Sequence, residues 1–539
     1  MLCAPFRARR ALRAAVRRSS LQLLFSCGVV FWCLGGVAAR AQLSHAGEHR
    51  ITLTSSGFSY TTDDKLGSSI AVGDFDGDGI DDAAFGLPGH VVSGQSGAGA
   101  VLVVYGSDAG LGRTGARSPV LLTQTATGDD TSEADDGFGF ALTAADFNGN
   151  GQDDLVVGVP YEDFSRSRGG TWTDAGVVHV FWGTASGLVA TTSDLLTPDD
   201  YTCTEDFFDG LEFGYALASR DRDGDPNEDL VIGMPGANRP EWHIFDSVED
   251  AGSIFSLTGN ATLGLSGGFC WAPWDELSPG SRFGSAIALG DTNDGGSDNE
   301  AIVGAPFGDD AVLNDDNEGL MFQYPVAGFL SQAGADGDLF GSAVATGDFQ
   351  GLGYHQVLVG APESDVAGPS SAGRVRLYDD GAPGASFEQG TGALLESAEG
   401  FDRFGQVLGV GDFNHDGYDD AVFGVPGENL DDLGANKLDA GVVHVQYGDT
   451  AGLDAGASQL FHWDDGAFEL WTAVGNDRFG AAVGAGDFDG DGVDDLAIGA
   501  ATASSGGPNR GIIQVLYGVD ATPIFVDGFE SGSTSAWSP

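Results

Sequence analysis

A chain of 539 residues with 87 glycines, 80 acidic residues and only 23 basic ones carries a formal charge of −57. Nucleic acid and anionic lipid are poor partners for it, since neither would release counterions on meeting such a surface. Beyond the amino terminus no apolar run is long enough to span a membrane.

Residues 1–41 read as a secretory signal. Arg7, Arg9, Arg10, Arg13, Arg17 and Arg18 form a basic lead, Leu21 to Val37 an apolar core, and Ala39-Arg40-Ala41 a small-residue cleavage site. Against an uncleaved anchor stand Cys27, Trp32 and Cys33, which make the core mediocre. Against a lipoprotein stands Phe25, which suits Leu24-Phe25-Ser26-Cys27 poorly as a lipidation signal. Cleavage removes seven arginines and no acids, leaving 16 basic residues against 80 acidic ones, a formal charge of −64. Self-repulsion on that scale opposes compaction unless bound cations neutralise it.

From there one phrase recurs seven times: an aromatic-glycine pair, an apolar stretch, an acidic loop, and a hydrophobic strand ending near Gly-x-Pro. The loops begin at Asp74, Asp146, Asp221, Asp291, Asp348, Asp412 and Asp487, at spacings of 72, 75, 70, 57, 64 and 75 residues. A long period repeated this often fixes the architecture before any local reading does.

In the third copy, Phe213 to Ala218 reads as a first strand buried on both faces, Asp221 to Asp229 as a turn, Leu230 to Gly233 as a second strand and Ala251 to Leu257 as a third. The third strand returns at Ala100 to Tyr105, Gly176 to Trp182, Gly373 to Tyr378, Gly441 to Tyr447 and Gly511 to Tyr517. Val120-Leu121-Leu122 and Gln459-Leu460-Phe461 exemplify a weaker fourth strand. No segment shows helical periodicity. The pattern predicts an all-β, seven-bladed β-propeller of four-stranded antiparallel blades over residues 42–520. Ile51 to Thr54 resembles a fourth strand yet precedes the first copy, so an amino-terminal strand is expected to complete the last blade.

The acidic loops have the composition of a hard-cation site. Calcium takes six to eight oxygens, and a loop offering side-chain oxygens at positions 1, 3, 5 and 9, a carbonyl at 7 and glycine at 6 can wrap it. Asp74, Asp76, Asp78, Ile80 and Asp82 match, as do Asp487, Asp489, Asp491, Val493 and Asp495. Asp412, Asn414, Asp416, Tyr418 and Asp420 match with one amide. Asp221, Asp223, Asp225, Asn227 and Asp229 keep four carboxylates but place Pro226 at position 6. Asp146, Asn148, Asn150, Gln152 and Asp154 keep the oxygens with less charge, hence weaker expected binding. The loop from Asp291 to Glu300 has an extra residue, and that from Asp348 to Gln356 has lost most oxygens; no metal is expected in the latter. One such loop is ordinarily a solvated acidic turn; five at the same repeat position make about five Ca2+ sites the better reading. Strands rather than helices flank them, which separates them from EF-hands.

With Phe-Gly, the acidic loop, and Gly304-Ala305-Pro306 and Gly360-Ala361-Pro362 in place, the chain resembles the FG-GAP repeat of the integrin α-subunit propeller. The first copy departs with Leu66-Gly67 and the last with Gly499-Ala500-Ala501. The resemblance implies calcium in hairpin loops on one face and, less directly, recognition of a protein or glycan ligand on the other. Without leg domains or an inserted adhesion domain, heterodimer formation does not carry over.

His179 and His444 share one place in two Val-Val-His-Val strands, and no nucleophile elbow, zinc set or phosphate loop is present. Acidic pairs are common enough that cleavage of polysaccharide stays open as an alternative. Trp172, Trp242, Trp271, Trp274 and Trp463 are read first as interblade packing, with the Trp271–Trp274 loop the best surface candidate. Cys203 and Cys270 are either one disulfide or two free thiols. Residues 521–539 break the repeat and resemble a carboxy-terminal motif of exported bacterial proteins. These readings converge on a secreted or surface-exposed bacterial binding or adhesion module with no catalytic residue assigned.

Overall fold

The computed structural model describes residues 43–519 apart from 62, 128–130, 166–170, 199–208, 239–248, 274–275, 294–299, 310–316, 325–329, 334, 336, 367, 393, 433–434, 454–457, 465–471 and 505–508. The expected signal at 1–41 and tail at 521–539 lie outside the described residues, as do Cys203, Trp242 and Trp274.

Seven antiparallel four-stranded sheets are arranged as the blades of a propeller. Blade 1 is built from Ile70–Gly73, Asp82–Leu87, Ala100–Val104 and Val120–Leu122, and blade 2 from Ala141–Ala145, Asp154–Val159, Val177–Phe181 and Asp194–Leu196. Blade 3 comprises Leu217–Arg220, Asp229–Met234, Ser253–Asn260 and Gly264–Trp271, and blade 4 Ala286–Gly290, Glu300–Ala305, Leu320–Tyr324 and Leu330–Ala333. Blade 5 follows with Ala343–Gly347, Gln356–Ala361, Arg374–Asp379 and Ala382–Phe387, and blade 6 with Val407–Gly411, Asp420–Val425, Val442–Gln446 and Ser458–Phe461. Blade 7 takes Ala482–Gly486, Asp495–Ala500 and Ile512–Tyr517 and is completed by Ser44–Ile51. The first strand of each blade neighbours those of the blades on either side, including blade 7 against blade 1, so the ring is closed.

Completion of blade 7 from the amino terminus follows the expectation, but the strand is Ser44–Ile51 rather than Ile51 to Thr54. Ile51 pairs with Ile513 and His49 with Val515. The strand stops there because the Thr52 and Ser55 side chains bond each other's backbone N–H groups, closing a turn.

The first strands also differ from expectation. They start several residues after Phe-Gly and are only partly buried, Leu217–Arg220 at all four positions. The second strands are buried throughout. Phe-Gly instead joins blades: Phe138 N–H donates to Ala98, Phe213 to Ala175, Phe404 to Ala372 and Phe479 to Ala440, always in the preceding blade's segment. Those phenylalanines are at most 1% exposed. Glycine is required there by close approach, since a Cβ on Gly86 of Gly-Leu-Pro would run into the Gly139 carbonyl of the next blade. The hydrophobic clusters accordingly lie between facing blades, for example Phe75, Val101 and Tyr105 of blade 1 against Leu155, Val157 and Phe181 of blade 2. At about 25 cal/mol per Å2 of apolar area removed from water, these interblade layers are the main favourable term.

One four-residue helix, Gln124–Thr127, departs from the all-strand expectation. Trp463 is 1% exposed, Trp172 is buried against Phe164, and Trp271 stacks on Tyr324 of the next blade at 4.2 Å. Trp271 therefore packs between blades rather than presenting a free surface. Cys270 is disulfide-bonded.

Candidate metal hairpins and the ring that carries them

Each described acidic loop is the turn from a blade's first strand to its second, so these loops share one face; residues 294–299 of the blade 4 loop lie outside the described residues. The aspartate at position 1 shapes the turn by accepting from the backbone that follows it. Asp74 accepts from Gly77, Asp78 and Gly79, Asp412 from Asp416 and Gly417, and Asp487 from Asp491 and Gly492. Position 6 has positive φ in Gly79, Gly151, Gly417 and Gly492 and donates to that aspartate. Pro226 has no N–H to give, and Asp221 accepts from Asp223 and Gly224 instead.

Position 9 opens the second strand and is buried. Asp82 accepts from Phe75 and Gly106, Asp154 from Phe147 and Gly183, Asp229 from Arg222 and Gly259, Asp420 from Phe413 and Gly448, and Asp495 from Phe488 and Gly518. This residue staples the start of its loop to the end of the third strand. Burial pushes Asp82, Asp154, Asp420 and Asp495 up to about 8, because the charged form is deprived of water.

Positions 1, 3 and 9 come together in three hairpins. The carboxylates of Asp74, Asp76 and Asp82, of Asp221, Asp223 and Asp229, and of Asp487, Asp489 and Asp495 each offer oxygens within 4.8 Å of one another. Position 5 stands apart and accepts from position 7: Ile80 donates to Asp78, Gln152 to Asn150, Asn227 to Asp225, Tyr418 to Asp416 and Val493 to Asp491. In the blade 2 loop the Asn148 side-chain amide donates to both carboxylate oxygens of Asp154. Asp146 there accepts from Asn150 and Gly151.

Two hairpins hold, at position 3, a buried side-chain oxygen that no donor meets, Asp76 Oδ1 and Asn414 Oδ1; Asn227 Oδ1 is equally unmet but lies against Gly149 of the blade 2 loop. Asn414 is 1% exposed and its amide nitrogen is equally unpartnered. A buried acceptor left this way costs about 1–3 kcal/mol, and a hard cation would satisfy it. Arg117 lies 2.8 Å from Asp76 Oδ2, a fixed positive charge at the rim of the first hairpin.

Position 8 was missed in the sequence, although Asp-Asp recurs visibly at 81–82, 153–154, 419–420 and 494–495. Its carboxylate crosses to the preceding blade and accepts the position 1 N–H: Asp81 from Asp487, Asp153 from Asp74, Asp419 from Asp348 and Asp494 from Asp412, at 2.7–2.9 Å. The position 8 N–H returns the bond to the position 1 carbonyl. These reciprocal pairs tie hairpin to hairpin around the mouth of the ring. Burial, then the charges of Asp153, Asp494 and Asp487, push Asp81 up to about 6.

The geometry defines a closed propeller with acidic hairpins on one face, and the comparisons agree. The FG-GAP repeat model matches residues 138–181, 404–445 and 479–516. The chain carries FG-GAP repeats, and its propeller is related to that of integrin alpha subunits. It is 26% identical over 419 residues to phosphatidylinositol-glycan-specific phospholipase D of Bos taurus, covering 68% of this chain and 44% of that protein. It is 29% identical over 233 residues to integrin alpha-PS2 of Drosophila melanogaster, covering 42% and 16%. The chain thus spans less than half the length of these relatives. Among solved structures, the exotype rhamnogalacturonan lyase YesX matches over 84% of this chain and 72% of its own, at 12% identity and TM-score 0.38, too loosely to bear on chemistry.

Proposed function

We propose that this chain is an extracellular binding module whose propeller is held by calcium. Residues 1–41 direct export, 42–520 form the ring, and 521–539 are a tail motif. The ions sit in the hairpins of blades 1, 2, 3, 6 and 7, and the opposite face receives a protein or glycan ligand. The observation that carries the metal reading is the pair of buried, donorless oxygens at Asp76 and Asn414 inside hairpins already rich in carboxylate. Hard oxygen donors of this kind, with loops that tolerate several geometries, favour Ca2+ over softer metals. Among the described residues no helix is long and apolar enough to cross a membrane.

The competing reading is a polysaccharide hydrolase or lyase using acids at the mouth of the ring. Asp81, Asp153, Asp419 and Asp494 are each engaged by a backbone N–H of the neighbouring blade, which suits them to holding the ring rather than to proton transfer. The test is calorimetric Ca2+ titration of the purified chain together with thermal unfolding in calcium and in EDTA. At least five ions and a large fall in Tm in chelator are expected. A metal-free protein that melts identically in both would end the proposal.

A further inference from the structure

The opposite end of the blades carries a second acidic constellation that the hairpin motif does not contain. In blades 1, 5 and 6 the residue two places after Gly-x-Pro returns beside the residue two places before the same copy's aromatic-glycine pair, Leu66-Gly67 in the first. In blade 1 the meeting is Asp64, fully buried, with His90 Nδ1 at 2.9 Å. In blade 5 Asp338 takes a hydrogen bond from Ser364, and in blade 7 the equivalent sequence positions hold Asp477 and Ala503. Blade 6 is different: Asp402 at 0% exposure faces Glu428 at 2%, carboxylate against carboxylate. Glu399 joins them, and the three offer oxygens within 4.8 Å of one another.

The polar contacts are few. Glu399 N–H donates to Asp402 Oδ2, Gln389 Nε2 to Glu428 Oε2, and Asn429 Nδ2 to Glu399 Oε2 at 3.3 Å. Asp402 Oδ1 and Gln389 Oε1 are buried without a donor, on residues 0% and 3% exposed. Among the described residues no lysine, arginine or histidine pairs with any of the three acids. Two buried carboxylates with no base beside them are unstable as a charged pair. Where blade 1 supplies a histidine, blade 6 supplies only more oxygen.

We propose that Asp402, Glu428 and Glu399 form a divalent-cation site, of the calcium class, on the face opposite the hairpins. The donor set is all oxygen, as a hard cation requires, and exposed Glu399 leaves room for water to complete the shell. Blade 2 repeats the residue types at the same repeat positions, Glu133, Asp136 and Glu162 with Gln124 donating to Glu162 at 2.8 Å. An ion here would sit beside the depression of about 460 Å3 lined by Phe401, Arg403, Pro426, Gly427 and Arg478 between blades 6 and 7. Metal would thereby be placed on the face assigned above to ligand recognition.

The alternative occupant is a proton: burial, then the charge of Asp402, push Glu428 up to about 8. Ion counting on the purified full chain by equilibrium dialysis with Ca2+ separates the two. Glu428→Gln is expected to bind one ion fewer than wild type, and Asp489→Ala to lose a different one, so that the double variant loses two. Glu428→His copies the Asp64–His90 pair; it should also lose one ion while melting higher than wild type in EDTA. An unchanged ion count in folded E428Q or E428H overturns the site. Loss of an ion in E428Q with none lost in D489A would keep this site and reject the hairpin reading.

Discussion

At the scale of single residues, the buried histidines show how a repeat places a titratable group where charge cannot be tolerated. His179 and His444 are 0% exposed in equivalent third strands. His179 reaches Ser193 at 3.0 Å, whereas neither ring nitrogen of His444 meets a partner. Burial lowers them from 6.5 to about 4 and about 3. A histidine whose folded pKa is depressed binds its proton more readily unfolded, so its neutral packing supports the fold above pH 6.5 and that support drains as pH falls towards 4. The limiting slope is about 1.4 kcal/mol per pH unit for each such group. Replacing His444→Leu keeps the volume near Phe404 and removes an orphaned N–H, worth about 1–3 kcal/mol. The variant is expected to melt above wild type at pH 7, with a gap that widens at pH 5. Equal Tm shifts at both pH values would show that the imidazole does not ionise on unfolding in this window.

At the scale of one element, blade 5 separates the turn from the ion. Its loop has lost most oxygens, yet Asp348 still accepts from Leu352 and Gly353, and Gln356 Oε1 accepts from Phe349 as the aspartates at position 9 do. The turn therefore needs only one acid and an acceptor at its end; the further carboxylates are surplus to backbone geometry. Asp489→Ala is expected to remove one bound Ca2+ and lower Tm by several degrees, because an ion at a hundredfold its Kd adds about 2.7 kcal/mol. Gln350→Ala should leave the ion count untouched and Tm nearly so. Equilibrium dialysis beside thermal scans reads both; equal ion counts in the two variants would contradict the assignment. The repeat period, blade composition and acidity of the loops were legible because they recur in sequence. What was not legible is which backbone each side chain meets. Asp-Asp reads as two equivalent acids, yet Asp81 crosses to Asp487 of the preceding blade while Asp82 folds back on Phe75 and Gly106. Phe-Gly reads as strand because it is apolar, yet its N–H belongs to the neighbouring blade. Partners far apart in sequence leave no local periodicity to read.

At the scale of the whole molecule, a ring of blades within a chain of formal charge −57 depends for closure on the seam made by its amino-terminal strand. That seam is Ser44–Ile51 on Ile512–Tyr517, anchored further by Leu43, whose N–H reaches Tyr447 Oη at 3.0 Å and whose carbonyl accepts from Gln459. Ile51 is 2% exposed and Leu53 fully buried, so the segment also fills the layer between blades 7 and 1. Without it, Ile512-Ile513-Gln514-Val515-Leu516-Tyr517 would become an uncovered edge, apolar and nearly uncharged, the kind of strand that recruits another chain. Blades 1 and 2, by contrast, end on the short fourth strands Val120–Leu122 and Asp194–Leu196, which are poorer templates. A mature chain beginning after Ile51 is therefore expected to associate and to lose much of its thermal stability even in saturating calcium, since ions on the hairpins do not replace the missing strand. Ile51→Asp, which keeps the strand but buries a charge, should lower Tm without the same drive to associate. Light scattering after size exclusion, with melting in calcium, distinguishes them. A truncated chain that stays monomeric and melts like the full one would mean that the seven-sheet ring is closed by interblade packing alone.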